Sequence, residues 1–433
     1  MRHHVVIFIA GASGFIGSAL VEALLSRGHE IVAATRRPPR QIFPSTHVRH
    51  VAVDFASAID ADQWRTLVHG CDAVFNAVGI FRETPRQTFA RIHVEATRAL
   101  FRACALEGIR RVVYVSALGA DEDAVTAYHR SKRAGEVALL ELVPTGVCVQ
   151  PSLVYGRHGT SARLFTTLAA LPLVPIPVRG EQEVQPIHLD DVIAVVCRLI
   201  EEDEAPSRRI PLVGPRATTL RAFLGDLRCA MELPAPRFLE IPRWITRLAA
   251  RIGNFFPSLL FDCDTWTMLE RGNTADPAVT TRLLGRPPRA PIAFIAANEA
   301  RGVRMEAQLR IVLPPLRAAI AVLWIATGIV SLGLYPVDAS YALLARVGVG
   351  PAWAPWLLYG AALIDIALGL LVFVLRGRAR RWLWRAQMAL IIGYTAIITW
   401  ALPEYWLHPY GPVTKNLPLL AALWLLDFLE ETR

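Results

Sequence analysis

The chain has 433 residues, 53% of them hydrophobic, a mean hydropathy of +0.36 and a formal net charge of +9. Its length calls for two or three structural units. The apolar excess lies mostly after residue 317, which points to membrane segments rather than an outsized core. The arginines crowd beside apolar runs, as on the cytoplasmic side of membrane helices. The basic residues do not form the arginine-rich helix or aromatic-basic strand pattern of a nucleic-acid reader, so no nucleic-acid partner is expected. Cys71, Cys104, Cys148, Cys197, Cys229 and Cys263 are isolated, with no Cys-x-x-Cys pair. They read as buried free thiols in a reducing compartment, and no metal site is expected.

Met1-Arg2-His3-His4 and the apolar run after it have the look of a leader. The run passes straight into a glycine turn, however, so it predicts a first strand over residues 5–10. A helix follows over 14–26, then strands over 30–34, 50–53 and 73–78. A long helix is predicted over 89–107, a strand over 111–116, a helix over 128–142 and a strand over 147–154. Alternation of β-branched runs with amphipathic stretches, with little polar alternation in the runs, predicts βαβ units in a helix-covered parallel sheet. The expectation is an α/β Rossmann core over 1–155, with a smaller substrate-side lobe over 156–300 interleaved with it.

A basic linker is expected over 301–317 and an all-α four-helix transmembrane bundle over 318–430. Uncharged or nearly uncharged runs at 318–337, 347–375 and 386–403 are long enough for a hydrocarbon core of about 30 Å. A fourth span ends in 416–426 and needs the stretch from about Pro409, with Lys415 snorkelling. Arg301, Arg304, Arg310 and Arg317 precede the first span, and Arg376, Arg378, Arg380, Arg381 and Arg385 fill the second loop. Positive loops mark the cytoplasmic side, so both termini and the N-terminal domain are expected in the cytoplasm of a bacterium, at its inner membrane. Asp365 falls mid-span, where it either pairs with Tyr394, Thr395 or Lys415 or lines a ligand site.

Gly11-Ala12-Ser13-Gly14-Phe15-Ile16-Gly17 joins the first strand to the first helix. Glycines there allow a tight turn and close approach of backbone to a pyrophosphate, and the helix N-terminus attracts the anion. The second strand ends in Thr35-Arg36-Arg37 with no acid, and a guanidinium fork suits a 2′-phosphate, so NADP is expected over NAD. Asp54, at the end of the third strand, is placed to meet the adenine amino group. Asn76 and Ala77 end the fourth strand, where backbone runs close to the cofactor.

Tyr128 and Lys132 stand four residues apart on one helix face. An ammonium near a phenol favours the phenolate, so the Tyr is expected to be poised for proton exchange. The chain holds only two lysines, Lys132 and Lys415, among 46 basic residues, so Lys132 meets a need that arginine does not. Ser116, at a strand end, either polarises a substrate oxygen or is a locally satisfied serine. His188-Leu189-Asp190-Asp191 caps and starts a helix.

Gly11 to Gly17, Asp54, Ser116-Ala117-Leu118-Gly119-Ala120, Tyr128 to Lys132 and Gln185 to Val192 resemble the extended and atypical short-chain dehydrogenase/reductases. The likeness is greatest to the branch related to the alpha-subcomplex subunit 9 of respiratory complex I, and covers about residues 3–300. The resemblance implies a bound NAD(P) and a Ser-Tyr-Lys set formed by Ser116, Tyr128 and Lys132. His93 stands where an asparagine commonly supports the proton relay. Residues 316–433 resemble the DoxX-like four-helix membrane family, through His408 to Pro418 and Asp365, a family linked to quinone-associated redox membranes. The sequence thus leads to a membrane-anchored oxidoreductase or epimerase-like enzyme. The alternative is a non-catalytic nucleotide-binding module of a membrane redox complex.

Overall fold

A computed structural model describes residues 4–36, 46–202, 205–255 and 261–430. The chain divides into two compact units, Met1–Gln308 and Leu309–Arg433.

In the first unit the chain runs β1 (Val6–Ala10), α1 (Phe15–Leu25), β2 (Glu30–Thr35), β3 (Val48–Ala52), α2 (Ala61–Val68) and β4 (Ala73–Asn76). A π-helical turn over Ala90–Glu95 leads into α3 (Ala96–Leu106), then β5 (Arg111–Val115), α4 (Ala127–Leu142) and β6 (Val147–Pro151). The later elements are β7 (Val154–Tyr155), α5 (Thr160–Ala170), β8 (Leu173–Pro177), β9 (Glu183–Val184), β10 (Ile187–His188), α6 (Leu189–Glu201) and β11 (Arg209–Leu212). After them come β12 (Thr218–Thr219), α7 (Leu220–Ala230), β13 (Arg237–Ile241), α8 (Arg243–Phe255), α9 (Cys263–Arg271) and α10 (Ala278–Leu284).

The main sheet has seven strands in the order β11-β6-β5-β4-β1-β2-β3. Every pair is parallel, with Ile7 opposite Ile31 on one side and Ala73 on the other. Strand side chains alternate between two cores. Ile7, Ile9, Phe75 and Val113 pack with α1 and α6, and Phe8, Val74, Val112 and Tyr114 pack with α2, α3 and α4. A sheet covered on both faces explains why its strands read as continuous apolar runs. The elements predicted over residues 5–154 lie where expected to within a few residues, with α2 additional among them and β11 adding a further strand to the sheet. Cys71, Cys104, Cys148 and Cys197 are buried free thiols, whereas Cys229 is exposed and Cys263 partly so.

In the second unit, α11 (Ala300–Ile329) begins before the unit boundary and continues through a π turn to Leu334. It is followed by α12 (Val337–Arg346), α13 (Ala354–Val374), α14 (Arg378–Ala401) and α15 (Asn416–Leu429). The stretch expected to be a linker is thus the first half of α11. Ile320, Trp324, Val372, Trp384, Ile391 and Leu423 form the bundle core. A Cβ on Gly328 would lie 2.5 Å from the Ala362 carbonyl oxygen, and one on Gly369 2.7 Å from that of Ala321, so glycines let α11 and α13 touch backbone to backbone.

Among the described residues two helical segments, Ala297–Leu334 and Ala354–Val374, are long and apolar enough to cross a membrane. The four expected spans meet this differently. Helix α14 has the length, with 24 residues, but opens on Arg378, Arg380, Arg381 and Arg385. Helix α15, with 14 residues, is about 21 Å long. At one end of the bundle Glu430 accepts from Arg317 at 2.9 Å and from Arg380 at 3.3 Å, while Asp427 faces Arg381 and Arg385 at 3.3 and 3.2 Å.

Candidate functional site

The strand order reverses direction between β4 and β1, and open parallel sheets bind ligands at the carboxyl ends of strands flanking such a switch. Gly11 lies there at φ +80°, a left-handed backbone that glycine adopts without strain. Its Cβ would meet Ala77 and Val78 of the β4 end at 3.1–3.3 Å. A Cβ on Gly17 would lie 2.1 Å from the Gly11 carbonyl oxygen, so α1 seats directly on the turn. Gly14 caps α1 with no side-chain hydrogen bond, and the first turn carries no acid. The leading N–H groups of α1, which lack intrahelical partners, therefore remain available to an anion. The ring of Phe15 packs toward Gly156 and Gly159, whose Cβ positions lie 2.9 Å from its tip. These residues fit a dinucleotide pyrophosphate.

Arg36 is exposed immediately after β2, while Arg37 lies outside the described residues. Asp54 is exposed two residues past β3, and its Oδ1 accepts from the Ala56 N–H at 3.0 Å. Asn76 is fully buried, and its side chain accepts from the Val78 N–H at 3.0 Å, which shapes the turn. The Ala77 N–H donates to the Ala10 carbonyl at 3.1 Å, tying the β4 end to the glycine turn.

Tyr128, Lys132 and Ser116 converge from α4 and β5. Thr126 caps α4 by accepting from the His129 N–H at 3.2 Å, which places Tyr128 in the first turn. Tyr128 packs with Ala117 and Phe89, stacks on Phe81 at 4.7 Å between ring centres and meets His93 edge-on at 5.8 Å. One turn on, the Lys132 ammonium donates to the Val115 carbonyl at 2.9 Å and sits 5.0 Å above the Tyr114 ring. Ser116 follows Val115, and its buried Oγ has no hydrogen-bond partner.

The electrostatics differ from the expected phenolate. Burial pushes the Tyr128 phenol well above its ordinary range. Burial also pulls Lys132 down to about 7, with the Glu136 carboxylate acting the other way. The ammonium is directed at the end of β5 rather than at the phenol, so in this arrangement it does not acidify Tyr128.

His93 is the further element of the site. Its Nε2 accepts from the Ile80 N–H at 3.0 Å, so Nδ1 carries the proton and donates to Ser131 Oγ at 2.8 Å. Ser131 in turn donates to the Tyr128 carbonyl at 2.7 Å. Full burial holds the imidazole neutral, and the Lys132 charge acts in the same direction. A Cβ on Gly79 would stand 3.0 Å from the Lys132 ammonium and 3.3 Å from His93 Nε2, so the β4 loop passes directly over both.

A seven-stranded parallel sheet with a glycine turn and a Tyr–Lys helix at its switch point defines a Rossmann dinucleotide-binding protein. Residues 7–214 match the NAD dependent epimerase/dehydratase family and residues 321–424 match the DoxX-like family, so the chain joins an epimerase/dehydratase-like Rossmann domain to a DoxX-like domain. It is 26% identical over 257 residues to the mitochondrial NADH dehydrogenase (ubiquinone) 1 alpha subcomplex subunit 9 of Rattus norvegicus, covering 56% of this chain and 67% of that one. It is 31% identical over 191 residues to a ceramide reductase of Caulobacter vibrioides, covering 44% of this chain and 59% of the relative. The match thus spans less than two thirds of the reductase's length. The fold is similar to that of the epimerase Mth375 of Methanothermobacter thermautotrophicus, with a TM-score of 0.53, 16% identity and coverage of 72% and 95%. It is also similar to that of the Bordetella bronchiseptica enzyme WbmG in complex with NAD, with a TM-score of 0.52, 16% identity and coverage of 70% and 96%.

Proposed function

We propose that this chain is an NAD(P)-dependent oxidoreductase held at a membrane by its DoxX-like unit. The single observation that carries the reading is the convergence at the end of β5. There Ser116 Oγ is buried without a partner, between Val115, whose carbonyl holds the Lys132 ammonium, and Ala117, against which Tyr128 packs. In this reading Gly11, Ser13, Gly14, Phe15, Ile16 and Gly17 hold the pyrophosphate, and Asn76 and Ala77 line the backbone path beside it. Asp54 meets the adenine, Lys132 the ribose hydroxyls, and Arg36 and Arg37 a 2′-phosphate, which favours NADP. A bound nicotinamide supplies the two-electron exchange.

The chain's own residues supply positioning and the proton. Ser116 Oγ donates to the substrate oxygen and fixes its place. Tyr128 Oη exchanges a proton with that oxygen, and its raised pKa keeps the phenol protonated and ready to donate in the reductive direction. The His93–Ser131 pair fixes the first turn of α4. Membrane residence is supported by the two apolar helices of crossing length and the DoxX-like match, and the arginine-rich end of the bundle favours the cytoplasmic face of a bacterial inner membrane. A quinone or another membrane redox component is the partner class this setting favours.

Tyr128→Phe and Lys132→Arg test the proposal in a screen of carbonyl and alcohol substrates. Tyr128→Phe retains nucleotide affinity and loses turnover, whereas Lys132→Arg loses both. Normal turnover by Tyr128→Phe refutes the catalytic reading. A second reading, a non-catalytic nucleotide-holding module, is favoured by the likeness to a respiratory-complex subunit. Tight nucleotide retention without turnover of any carbonyl or alcohol would establish it.

A further inference from the structure

Helix α8 is built inside out for a soluble protein. It packs on its own unit through Thr246, Ala250 and Gly253, the small residues at i, i+4 and i+7. Its large apolar residues point away. Trp244 is 68% exposed, Leu248 50%, Ile252 48% and Phe255 82%. At 3.6 residues per turn these four share one arc, and Ile245 extends it. Arg243, Arg247 and Arg251 form a second stripe along one border of that arc. Arg243 is paired with Glu270, whereas Arg247 and Arg251 have no acidic partner among the described residues.

The helix is also tied to the Tyr128 site. Arg82, just past the β4 loop, donates from Nε to Asp262 Oδ2 at 2.7 Å and reaches the Gly253 carbonyl at 3.4 Å. Helix α9 then brings Met268 against the cluster of Phe89, Ala117 and Tyr128. The α8–α9 pair therefore borders the mouth of the site.

We infer that α8 is a bilayer-surface helix. Its apolar stripe enters the acyl boundary of an anionic membrane, with Arg247 and Arg251 on lipid phosphates, and the mouth of the Tyr128 site is thereby held where a ketone or hydroxyl on a lipid is the substrate class within reach. An apolar arc bordered by unpaired arginines is complementary to an anionic interface. The same chain carries helices long enough to cross a membrane, which keeps a bilayer within reach. The substrate half of the inference rests on the oxidoreductase reading, and the docking half does not.

The test uses the full chain with Leu248→Cys carrying an environment-sensitive fluorophore, in a Cys229→Ser, Cys263→Ser background. It is reconstituted in vesicles of phosphatidylcholine with phosphatidylglycerol or of phosphatidylcholine alone. The fluorophore is expected to shift to the blue and to be quenched by acyl-chain spin-labelled lipid in the anionic vesicles. Arg247→Glu with Arg251→Glu should cut the docked fraction on the order of tenfold. An aqueous spectrum in both vesicles, or a blue shift immune to lipid quencher and dependent on protein concentration (a second copy covering the face), overturns docking. With docking present, turnover confined to short water-soluble carbonyls overturns the lipid-substrate half and leaves the oxidoreductase reading intact. Docking with bound nucleotide and no turnover of any carbonyl defeats the oxidoreductase reading, and the substrate half with it.

Discussion

Replacing Gly17 by alanine puts a methyl carbon 2.1 Å from the Gly11 carbonyl oxygen, 2.9 Å from its carbonyl carbon and 3.1 Å from the Ala12 Cα. All three are backbone atoms, and none belongs to a side chain that can swing aside. To restore an ordinary contact of 3.4 Å, α1 has to retreat by roughly 1.3 Å at its N-terminus. Leu20, Val21 and Leu24, on the same helix, are fully buried in the core on that face of the sheet, so the retreat disturbs packing as well. Overpacking of this kind costs about 1–3 kcal/mol of stability. It also carries the leading N–H groups of α1 out of hydrogen-bond reach of a pyrophosphate, and a hydrogen bond to a charged group contributes about 1.5–3 kcal/mol. Dinucleotide affinity should fall at least tenfold, read by titration against nicotinamide fluorescence, with thermal unfolding of the full chain in parallel. Gly225→Ala is the matched control. It lies in α7 with nothing within 4 Å of the added carbon, and should raise stability by about 0.5–1 kcal/mol. Gly17→Ala with unchanged affinity and melting temperature would refute the reasoning.

Acid stability supplies a second check. Burial holds His129 down to about 4, and His93 lower still, so both are neutral in the folded chain. The unfolded chain takes up these protons as pH falls below about 6.5. Stability is therefore complete above that value and is lost progressively toward pH 4, by about 1.4 kcal/mol per pH step for each histidine. His129→Gln should flatten part of the slope in denaturant titrations taken at several pH values, and an unchanged slope counts against a neutral buried histidine. In the bundle, Gly369→Val sets a side chain against the Ala321 carbonyl and Ile325, and should lower detergent-phase stability by about 1–3 kcal/mol. A wild-type melting curve would mean the helices are not in backbone contact. Arg36→Ala should reduce any preference for NADPH over NADH on the order of tenfold, and an unaltered ratio of affinities removes Arg36 from the nucleotide site.

Much of the first unit was legible in its sequence because local pattern and tertiary role coincide there. Val5 to Ala10 is apolar because both faces of β1 are covered, and the Gly11–Gly17 spacing is dictated by the 2.1 Å approach of α1 to the turn. Where role depends on distant partners, the sequence is silent. Strand β11 completes the sheet beside β6 from some 60 residues downstream, and nothing local to Arg209–Leu212 announces that edge. The Tyr128–Lys132 spacing places both residues on one helix face but leaves open where an ammonium on a four-carbon stem ends. That is decided by the Val115 carbonyl, and the phenol is raised rather than lowered. The Ile80–His93–Ser131 chain joins three segments, of which the family resemblance marks only His93. Helix α8 has an amphipathic pattern that ordinarily marks a core-facing helix, and only the buried Thr246, Ala250 and Gly253 reveal that its apolar face is turned outward.

The most direct test of the redox assignment follows isotope from nicotinamide to product. The full chain is incubated with carbonyl candidates and NADPH or NADH deuterated at the nicotinamide C4, and the product carbon is analysed by mass spectrometry. With Tyr128 as proton donor, label should appear in the product of the wild-type chain and disappear with Tyr128→Phe, while nucleotide binding persists. Label transferred by Tyr128→Phe at the wild-type rate, or product whose new hydrogen at that carbon comes from solvent, would contradict it.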